Sequence, residues 1–407
     1  MSAIEPVASG NRLRICVVGD LEGIHTRSWL SYFVARGHDV HAIAYYTPAR
    51  PPEGVTVHAL RPAAGGGGRP ASGARPGLAS RLPPGLRRLA NLLRYRRAGL
   101  AAAVEAIAPD VLHAHYLVEH GLYATSANFR PYIVSAWGSD VLVDAATSAL
   151  DRAIARFVLR RASLATANNR HMIREMVQKL GAAPADDQHI VLGVSRDYIA
   201  AAERAVDEAA SQDDETPTII SSRSLDSPLY NVDTIIRSMV HVHDRTPDAR
   251  LVVAGEGRLR PKLEALAESL GLRDAVHFAG QLSQEALQRA FIDADVFVSV
   301  PSSDGTSVAL LQTMAAGVFP IVSDLPSQRE LVDDGVSGLR VPVHDERALA
   351  DAIARVLGDS GLRRDAAEIN RAFVNEYGVL ETNMARMEAW YYRLAGRTQE
   401  ADSGAPT

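Results

Sequence analysis

The segment Pro301-Ser302-Ser303-Asp304-Gly305-Thr306-Ser307-Val308 leads from an apolar, β-favouring run, Phe297 to Val300, into helix formers that end at Gly317. Thr306 or Ser307 is a good N-cap residue, and Gly317 stands where a left-handed residue closes a helix. A strand that turns straight into a helix points the helix's free N–H groups and positive dipole end beyond the strand's carboxyl end, where a phosphate is favoured. Asp304 stands just before the helix and Gln312 about two turns inside it, so a carboxylate and an amide flank that place. The plain alternative is an ordinary strand-helix unit with a capped helix. Other polar residues close apolar runs in the same way: Arg223 in Ser221-Ser222-Arg223, His113 and His115 in Asp110-Val111-Leu112-His113-Ala114-His115, and Asp140 in Ser135-Ala136-Trp137-Gly138-Ser139-Asp140. The acidic pairs and histidines lack the spacing of metal ligands. The loop Gly19-Asp20-Leu21-Glu22-Gly23-Ile24-His25-Thr26 is no Gly-x-Gly-x-x-Gly, which argues against a dinucleotide-dependent oxidoreductase.

Strand and helix patterns alternate almost throughout, which predicts α/β architecture with parallel, doubly wound sheets. The strands are read at 13–18, 40–44, 110–113, 131–135 and 164–166, and then at 218–221, 250–254, 276–278 and 296–300. A length of 407 residues exceeds one usual core and predicts two domains. They are placed at 1–200 and 218–378, joined by an acidic linker at 201–217, with 379–407 holding a last helix and a tail. Met384, Met387, Trp390 and Tyr391 recur at helical spacing in that last helix. Residues 61–85 are rich in Gly, Pro and Arg and read as a flexible loop. Between Glu53 and Glu105 there is no Asp or Glu, while Arg81, Arg87, Arg88, Arg94, Arg96 and Arg97 surround Leu86, Leu89, Leu92 and Leu93. Residues 81–97 read either as a basic amphipathic surface for an anionic membrane or as a solvated helix.

The net charge of −5 gives no reason to expect a nucleic-acid partner. The single cysteine, Cys16, falls in a predicted buried strand and fits a reducing cytoplasm. No run of about 18 apolar residues and no signal peptide is recognisable. A cytoplasmic protein, with peripheral contact to the inner membrane face through 81–97, is the expectation.

The segment from Pro301, with its acidic residue, a polar residue eight positions later and then Met314-Ala315-Ala316-Gly317-Val318-Phe319-Pro320, resembles the donor-sugar signature of retaining glycosyltransferases of family four, which have the GT-B fold. The resemblance spans about residues 13–395 and implies two Rossmann-like domains facing an active-site cleft. In that family two glutamates hold the positions of Asp304 and Gln312, the first binding hydroxyls of the transferred sugar and the second the ribose. Aspartate keeps the charge on a shorter arm, and glutamine offers one acceptor oxygen where a carboxylate has two. The resemblance further implies that Arg223 grips the donor diphosphate, aided by the amides of Gly305, Thr306, Ser307 and Val308. The family's usual lysine is missing from Asp226-Ser227-Pro228-Leu229-Tyr230-Asn231, leaving Tyr230 or Asn231 to donate a hydrogen bond. Gly255, in Gly255-Glu256-Gly257, and Gly280 and Leu282 resemble turns whose backbone meets the nucleotide.

In the first domain the loop with Asp20, His25 and Arg27 is expected to face acceptor or phosphate, or simply solvent. His115 resembles the histidine that reaches the reacting sugar, while His113 is assigned to the opposite face of the strand as a core residue. Asp140 resembles an aspartate that orients or deprotonates the acceptor hydroxyl, with helix capping as its alternative. The family's front-face mechanism lets the leaving phosphate take the acceptor proton, so His115 and Asp140 would position rather than ionise. The expected activity is therefore transfer of a sugar from a nucleoside-diphosphate donor, a UDP-hexose or UDP-N-acetylhexosamine, to an acceptor hydroxyl on a natural product, lipid or polysaccharide. No metal or other cofactor is expected. The rivals are a catalytically degenerate binding subunit, which the glutamine and the missing lysine would explain, and a GT-B epimerase or phosphorylase.

Overall fold

The computed structural model describes residues 4–61, 82–183, 188–209 and 216–398. It contains two compact units, Met1–Leu192 with Glu381–Thr407, and Gly193–Leu380. The first runs β1 (Arg14–Val18), α1 (Ile24–Ala35), β2 (Asp39–Tyr46), β3 (Thr56–Arg61), α2 (Pro84–Arg97), α3 (Leu100–Ile107), β4 (Val111–His115), α4 (His120–Ala124), β5 (Tyr132–Ala136), α5 (Ala149–Arg161), β6 (Leu164–Ala167) and α6 (Arg170–Leu180). The second runs α7 (Arg196–Ala209), β7 (Thr218–Ser222), α8 (Val232–His243), β8 (Arg250–Ala254), α9 (Arg260–Ser269), β9 (Val276–Gly280), α10 (Gln284–Ile292), β10 (Val296–Ser299), α11 (Val308–Ala316), β11 (Phe319–Ser323), β12 (Leu339–Val341), α12 (Glu346–Leu357) and α13 (Ser360–Tyr377). The last helix, α14 (Leu380–Leu394), lies almost wholly in the first unit.

Both sheets are parallel and six-stranded, ordered β3-β2-β1-β4-β5-β6 and β12-β11-β10-β7-β8-β9. Helices on both faces bury such strands, which therefore read as apolar runs such as Ile15-Cys16-Val17-Val18 and Val296-Phe297-Val298. Each unit's first strand has neighbours on both sides, β2 and β4 for β1, β8 and β10 for β7. The winding reverses there, and the loops leaving the two adjacent carboxyl ends part to opposite faces of the sheet. The predicted α/β doubly wound class is the observed one. The edge strand β3 was not anticipated, because its short run Thr56 to Leu60 leads straight into the Gly- and Pro-rich segment. Residues 62–81 of that segment, Arg81 included, lie outside the described residues.

The linker expected at 201–217 is a helix as far as Ala209, and it belongs to the second unit. Tyr198 and Ile199 are buried, and so is Ala202 one helical turn on, a short apolar stripe within an acidic sequence. The Tyr198 hydroxyl donates to Gln312 O at 3.5 Å, and Gln288 Nε2 donates to Tyr198 O at 3.1 Å, docking α7 on its own unit. Residues 210–215 lie outside the described residues.

The basic helix is also less free than its sequence suggests. Arg88 is buried, pairing with Asp144 at 2.6 Å and Asp151 at 2.5 Å, and Leu89 and Leu92 pack on the core. Leu86 and Leu93 stay exposed beside Arg87, Arg94, Arg96 and Arg97. Among the described residues no helix is long and apolar enough to cross a membrane.

Helix α14 is anchored to the first unit by a buried carboxylate. Glu388 accepts from His38 Nε2 at 2.7 Å, Arg36 Nε at 3.1 Å and the Tyr32 hydroxyl at 3.1 Å. His38 Nδ1 accepts the Leu13 N–H at 3.1 Å, so the histidine proton sits on Nε2 and points at Glu388. Burial works against the Glu388 charge, but the hydrogen bond from His38 and the Arg36 charge outweigh it and hold the carboxyl below its usual range. A carboxyl lowered by folding contributes stability above its unfolded value and loses it as pH falls through the folded value. Glu388→Ala should therefore cost about 3 kcal/mol at neutral pH. Its deficit against wild type should shrink as denaturant melts are taken from pH 7 to below about 4. A deficit independent of pH would show that the anchor works by packing alone.

Candidate functional site

In the second unit the site forms where β7 and β10 end side by side. Gly255 and Gly257, both at φ 157°, press the turn after β8 against the main chain after β7: a Cβ on Gly255 would lie 2.0 Å from Arg223 O, and one on Gly257 2.2 Å from Leu225 C. Arg223 N–H donates to Ala254 O at 3.2 Å and Leu225 N–H to Glu256 O at 2.9 Å, fixing the backbone from which Arg223 projects. Its guanidinium donates to Ser299 Oγ at 2.9 and 2.7 Å, pairs closely with Asp304, and lies 5.2 Å from the centre of the Tyr230 ring. Arg223 and Asp304, both largely shielded, thus neutralise each other rather than stand apart.

Ser307 caps α11, accepting the Leu310 N–H at 3.3 Å, and Gly317 closes it at φ 79°. The N–H groups of Val308 and Ala309 have no partner among the described residues. Gln328 Nε2 reaches Gly305 O at 3.5 Å and steadies the loop before the helix. Gln312 is half-buried, and its side-chain amide makes no hydrogen bond among the described residues. Asn231 is not the substitute for a lysine that the sequence suggested. It is buried, with its amide donating to Val300 O at 2.8 Å and Ser302 Oγ at 3.0 Å. Tyr230 contributes its ring face to Arg223. Gly280, at φ 71°, accepts the Gly255 N–H at 2.8 Å through its carbonyl, and Leu282 follows half-buried. Sequence reasoning missed Ser299, although a lone hydroxyl in the apolar run Phe297 to Val300 had to find a partner.

In the first unit β1 and β4 end side by side. His115 is buried, its Nδ1 3.1 Å from Thr26 Oγ1, while its Nε2 has no hydrogen-bond partner among the described residues. Trp29, Trp137 and His113 surround its ring edge-on, with centroids 5.0, 5.3 and 4.8 Å away. Burial, with repulsion from His113, His120 and His25, pushes its pKa well below the usual histidine range, so it is neutral near pH 7. His113 is indeed core, but it shares the face of His115 instead of opposing it: strand side chains alternate with period two, so residues two apart lie together. The Trp29 indole donates to the Tyr391 hydroxyl at 3.1 Å, Tyr391 meets His113 Nδ1, and His113 Nε2 lies 2.8 Å from Ser135 Oγ. Burial drops the His113 pKa to about 3.

Asp140 is not available to an acceptor hydroxyl. Fully buried, it accepts N–H groups of Leu117 at 2.7 Å, Gly138 at 3.0 Å, Val141 at 3.1 Å and Trp137 at 3.2 Å. Burial raises its pKa and the amide donors oppose that rise. It is the clamp that shapes the turn after β5 and so places Trp137, whose ring stacks on exposed His25 at 5.5 Å. Arg27 is likewise committed, donating to Leu21 O at 2.9 Å and Arg50 O at 2.7 Å. Asp20 is exposed and accepts the Glu22 N–H at 3.1 Å. Among the described residues no group of three or more His, Cys, Asp or Glu is placed to hold a metal ion.

Residues 203–373 match the family described as Glycosyl transferases group 1, and residues 14–169 match Glycosyl transferase 4-like. The chain is 29% identical over 255 residues to the D-inositol 3-phosphate glycosyltransferase of Kribbella flavida, an alignment covering 60% of this chain and 59% of that protein. Among solved structures it is similar to the sucrose-phosphate synthase of Thermosynechococcus elongatus, with TM-score 0.74 at 17% identity over 94% of this chain and 99% of that one. It is also similar to Anabaena Alr3699/HepE in complex with UDP, with TM-score 0.69 at 14% identity over 94% and 100% of the two chains. At such identities these likenesses establish the GT-B fold.

His113 and His115, both buried and neutral, make the first unit acid-sensitive. A histidine whose pKa folding lowers contributes in full above the unfolded value, and stability falls as pH drops from there toward the folded value. With both counted, stability should decline by about 2.7 kcal/mol per pH unit below about pH 6. Denaturant melts at pH 7.5 and 5.5 on wild type and His113→Gln measure it; a slope unchanged in the variant would refute the assignment.

Proposed function

We propose, starting from the fact that this chain belongs to the group 1 glycosyl transferases, that it is a retaining glycosyltransferase moving a sugar from a nucleoside-diphosphate donor to an acceptor hydroxyl. The observation that carries the reading is the meeting of Arg223, Ser299, Asp304 and the α11 N-terminus at adjoining strand ends. A guanidinium fork and the free Val308 and Ala309 amides suit a diphosphate, first as bound ligand and then as leaving group with growing charge. The donor is a UDP-hexose or UDP-N-acetylhexosamine, a choice supported by the UDP in the Anabaena neighbour. Gln312, with its amide unengaged, binds the ribose.

A diphosphate carries more charge than Asp304 and takes Arg223 from it. The released carboxylate then turns to hydroxyls of the sugar. In the first unit, neutral His115 offers Nε2 as a hydrogen-bonding atom, and the leaving phosphate takes the acceptor proton. Peripheral contact with an anionic membrane, through exposed Leu86 and Leu93 with Arg87, Arg94, Arg96 and Arg97, belongs to the same proposal. A second reading, a GT-B binding subunit without turnover, is favoured by the same ion pair, since Asp304 offsets the one arginine at the diphosphate position.

Thermal melts across nucleoside diphosphates and nucleotide sugars test both. A cognate ligand at 100 times its dissociation constant adds about 2.7 kcal/mol. Arg223→Ala should abolish the shift and lower turnover about 100-fold or more. Asp304→Asn should tighten binding of the bare nucleoside diphosphate by freeing Arg223, while lowering sugar transfer. Stabilisation without turnover against hydroxyl acceptors would select the second reading, and no stabilisation by any nucleotide would sink both.

A further inference from the structure

At the end of the first sheet opposite to His115, a cavity of about 270 Å³ opens in front of β5. Its walls come from the turn after α4, the residues leading into β5, and the last turn of α5. Arg130, Arg160 and Arg161 line it together with Asn128, and no carboxylate does. The hydroxyls in the wall are already engaged: Thr125 Oγ1 donates to Leu122 O at 2.6 Å and the Tyr132 hydroxyl donates to Gly121 O at 2.7 Å. The side-chain donors left to face the cavity are the guanidinium groups and the Asn128 amide.

Those guanidinium groups are poorly compensated. Arg130 makes one long contact, 3.5 Å to Ser163 Oγ, and Arg160 makes no hydrogen bond or ion pair among the described residues. Arg161 donates to Asn128 Oδ1 at 2.8 Å and lies 5.3 Å from the centre of the Phe157 ring, so its partners are neutral. Arginines in a last helical turn often serve the helix dipole by bonding its terminal carbonyls. Arg160 and Arg161 make no such bond here, and their charge remains available. Three forked cations around a concave, carboxylate-free space match an anion with several oxygen acceptors. The volume is below that of sites for drug-sized ligands, which run from about 300 Å³, so a compact group fits better than a whole nucleotide sugar. Strand β5 alone, at about 3.3 Å per residue, separates this cavity from the loops beyond its carboxyl end.

We propose that this cavity is a second anion site of the first unit, binding a phosphoryl group as a phosphomonoester or a diphosphate. The test uses the full chain carrying Arg223→Ala, which removes the diphosphate site proposed in the second unit, and titrates it calorimetrically with inorganic phosphate and pyrophosphate. A parallel arm measures cosedimentation with vesicles of phosphatidic acid in phosphatidylcholine, against phosphatidylcholine alone. Binding should fall at least tenfold when Arg130→Ala and Arg160→Ala are added; both side chains are exposed and unpaired, so the melting temperature should hold. Loss of pyrophosphate binding points to a soluble phosphate. Loss confined to phosphatidic acid vesicles points to a lipid headgroup. Binding that persists in the added variants, or no binding of phosphate, pyrophosphate or vesicles by the protein with the cavity intact, overturns the proposal.

Discussion

The first strand of each unit has a neighbour on either side, and much of the chemistry in this protein follows from that constraint. Parallel strands need crossover helices, and those on the two sides of β1 or β7 pack on opposite faces of the sheet. The loops leaving two adjacent strands therefore diverge, and the backbone does not fill the space above them. In the second unit the adjoining ends are β7 and β10, which deliver Arg223 and the segment Ser299 to Asp304. In the first they are β1 and β4, which deliver Thr26 in the first turn of α1, and His115. Residues distant in sequence meet because the winding reverses there, and the same reversal leaves room for a ligand between them.

Electrostatics decides what the second-unit site can do at rest. An arginine held by Ser299, an aromatic face and a carboxylate is oriented in advance, and orientation is most of what a diphosphate-binding cation must supply. The same carboxylate cancels its charge. A paired, shielded Arg223 and Asp304 avoid the desolvation penalty that either would incur alone. A ligand must then replace Asp304 with something at least as negative, which favours a diphosphate over a neutral sugar. Under the proposed function the pairing is thus a filter as well as a resting state, and aspartate's short arm keeps the carboxylate close to the main chain of its own loop.

Fold class, most strands and the order of the site segments were legible because parallel strands and capped helices leave strong local marks: apolar runs, Ser307 before a helix, Gly317 after it. Residues 201–209 were not, because their acidic composition hid a helix that Tyr198, Ile199 and Ala202 help to dock. Roles were harder to read than places. Asp140, Asn231, Arg27 and Arg88 all sit where polar residues could serve a ligand, yet each is committed to main-chain groups or a buried ion pair. Partner lists arise from tertiary contacts between segments far apart in sequence. The period-two rule sufficed to put His113 beside His115, and the opposite assignment had no physical ground.

That shared face ties the end of the chain to the first-unit site. An indole N–H can only donate, so Trp29 fixes the Tyr391 oxygen as its acceptor and leaves the tyrosine O–H for His113 Nδ1. His113 then carries its proton on Nε2 and donates to Ser135, which lies 2.6 Å from Thr166. The polar atoms beneath His115 are in this way satisfied without a charge, in a region where a charge would be costly. Among the described residues His115 hydrogen-bonds only with Thr26, and its Nε2 is unengaged. Tyr391 reaches this chain of bonds from α14, a helix the protein makes only after completing the second unit. The arrangement around His115 therefore cannot form from residues 1–192 alone, and the anchor at Glu388, one turn before Tyr391, holds the tyrosine in place for it.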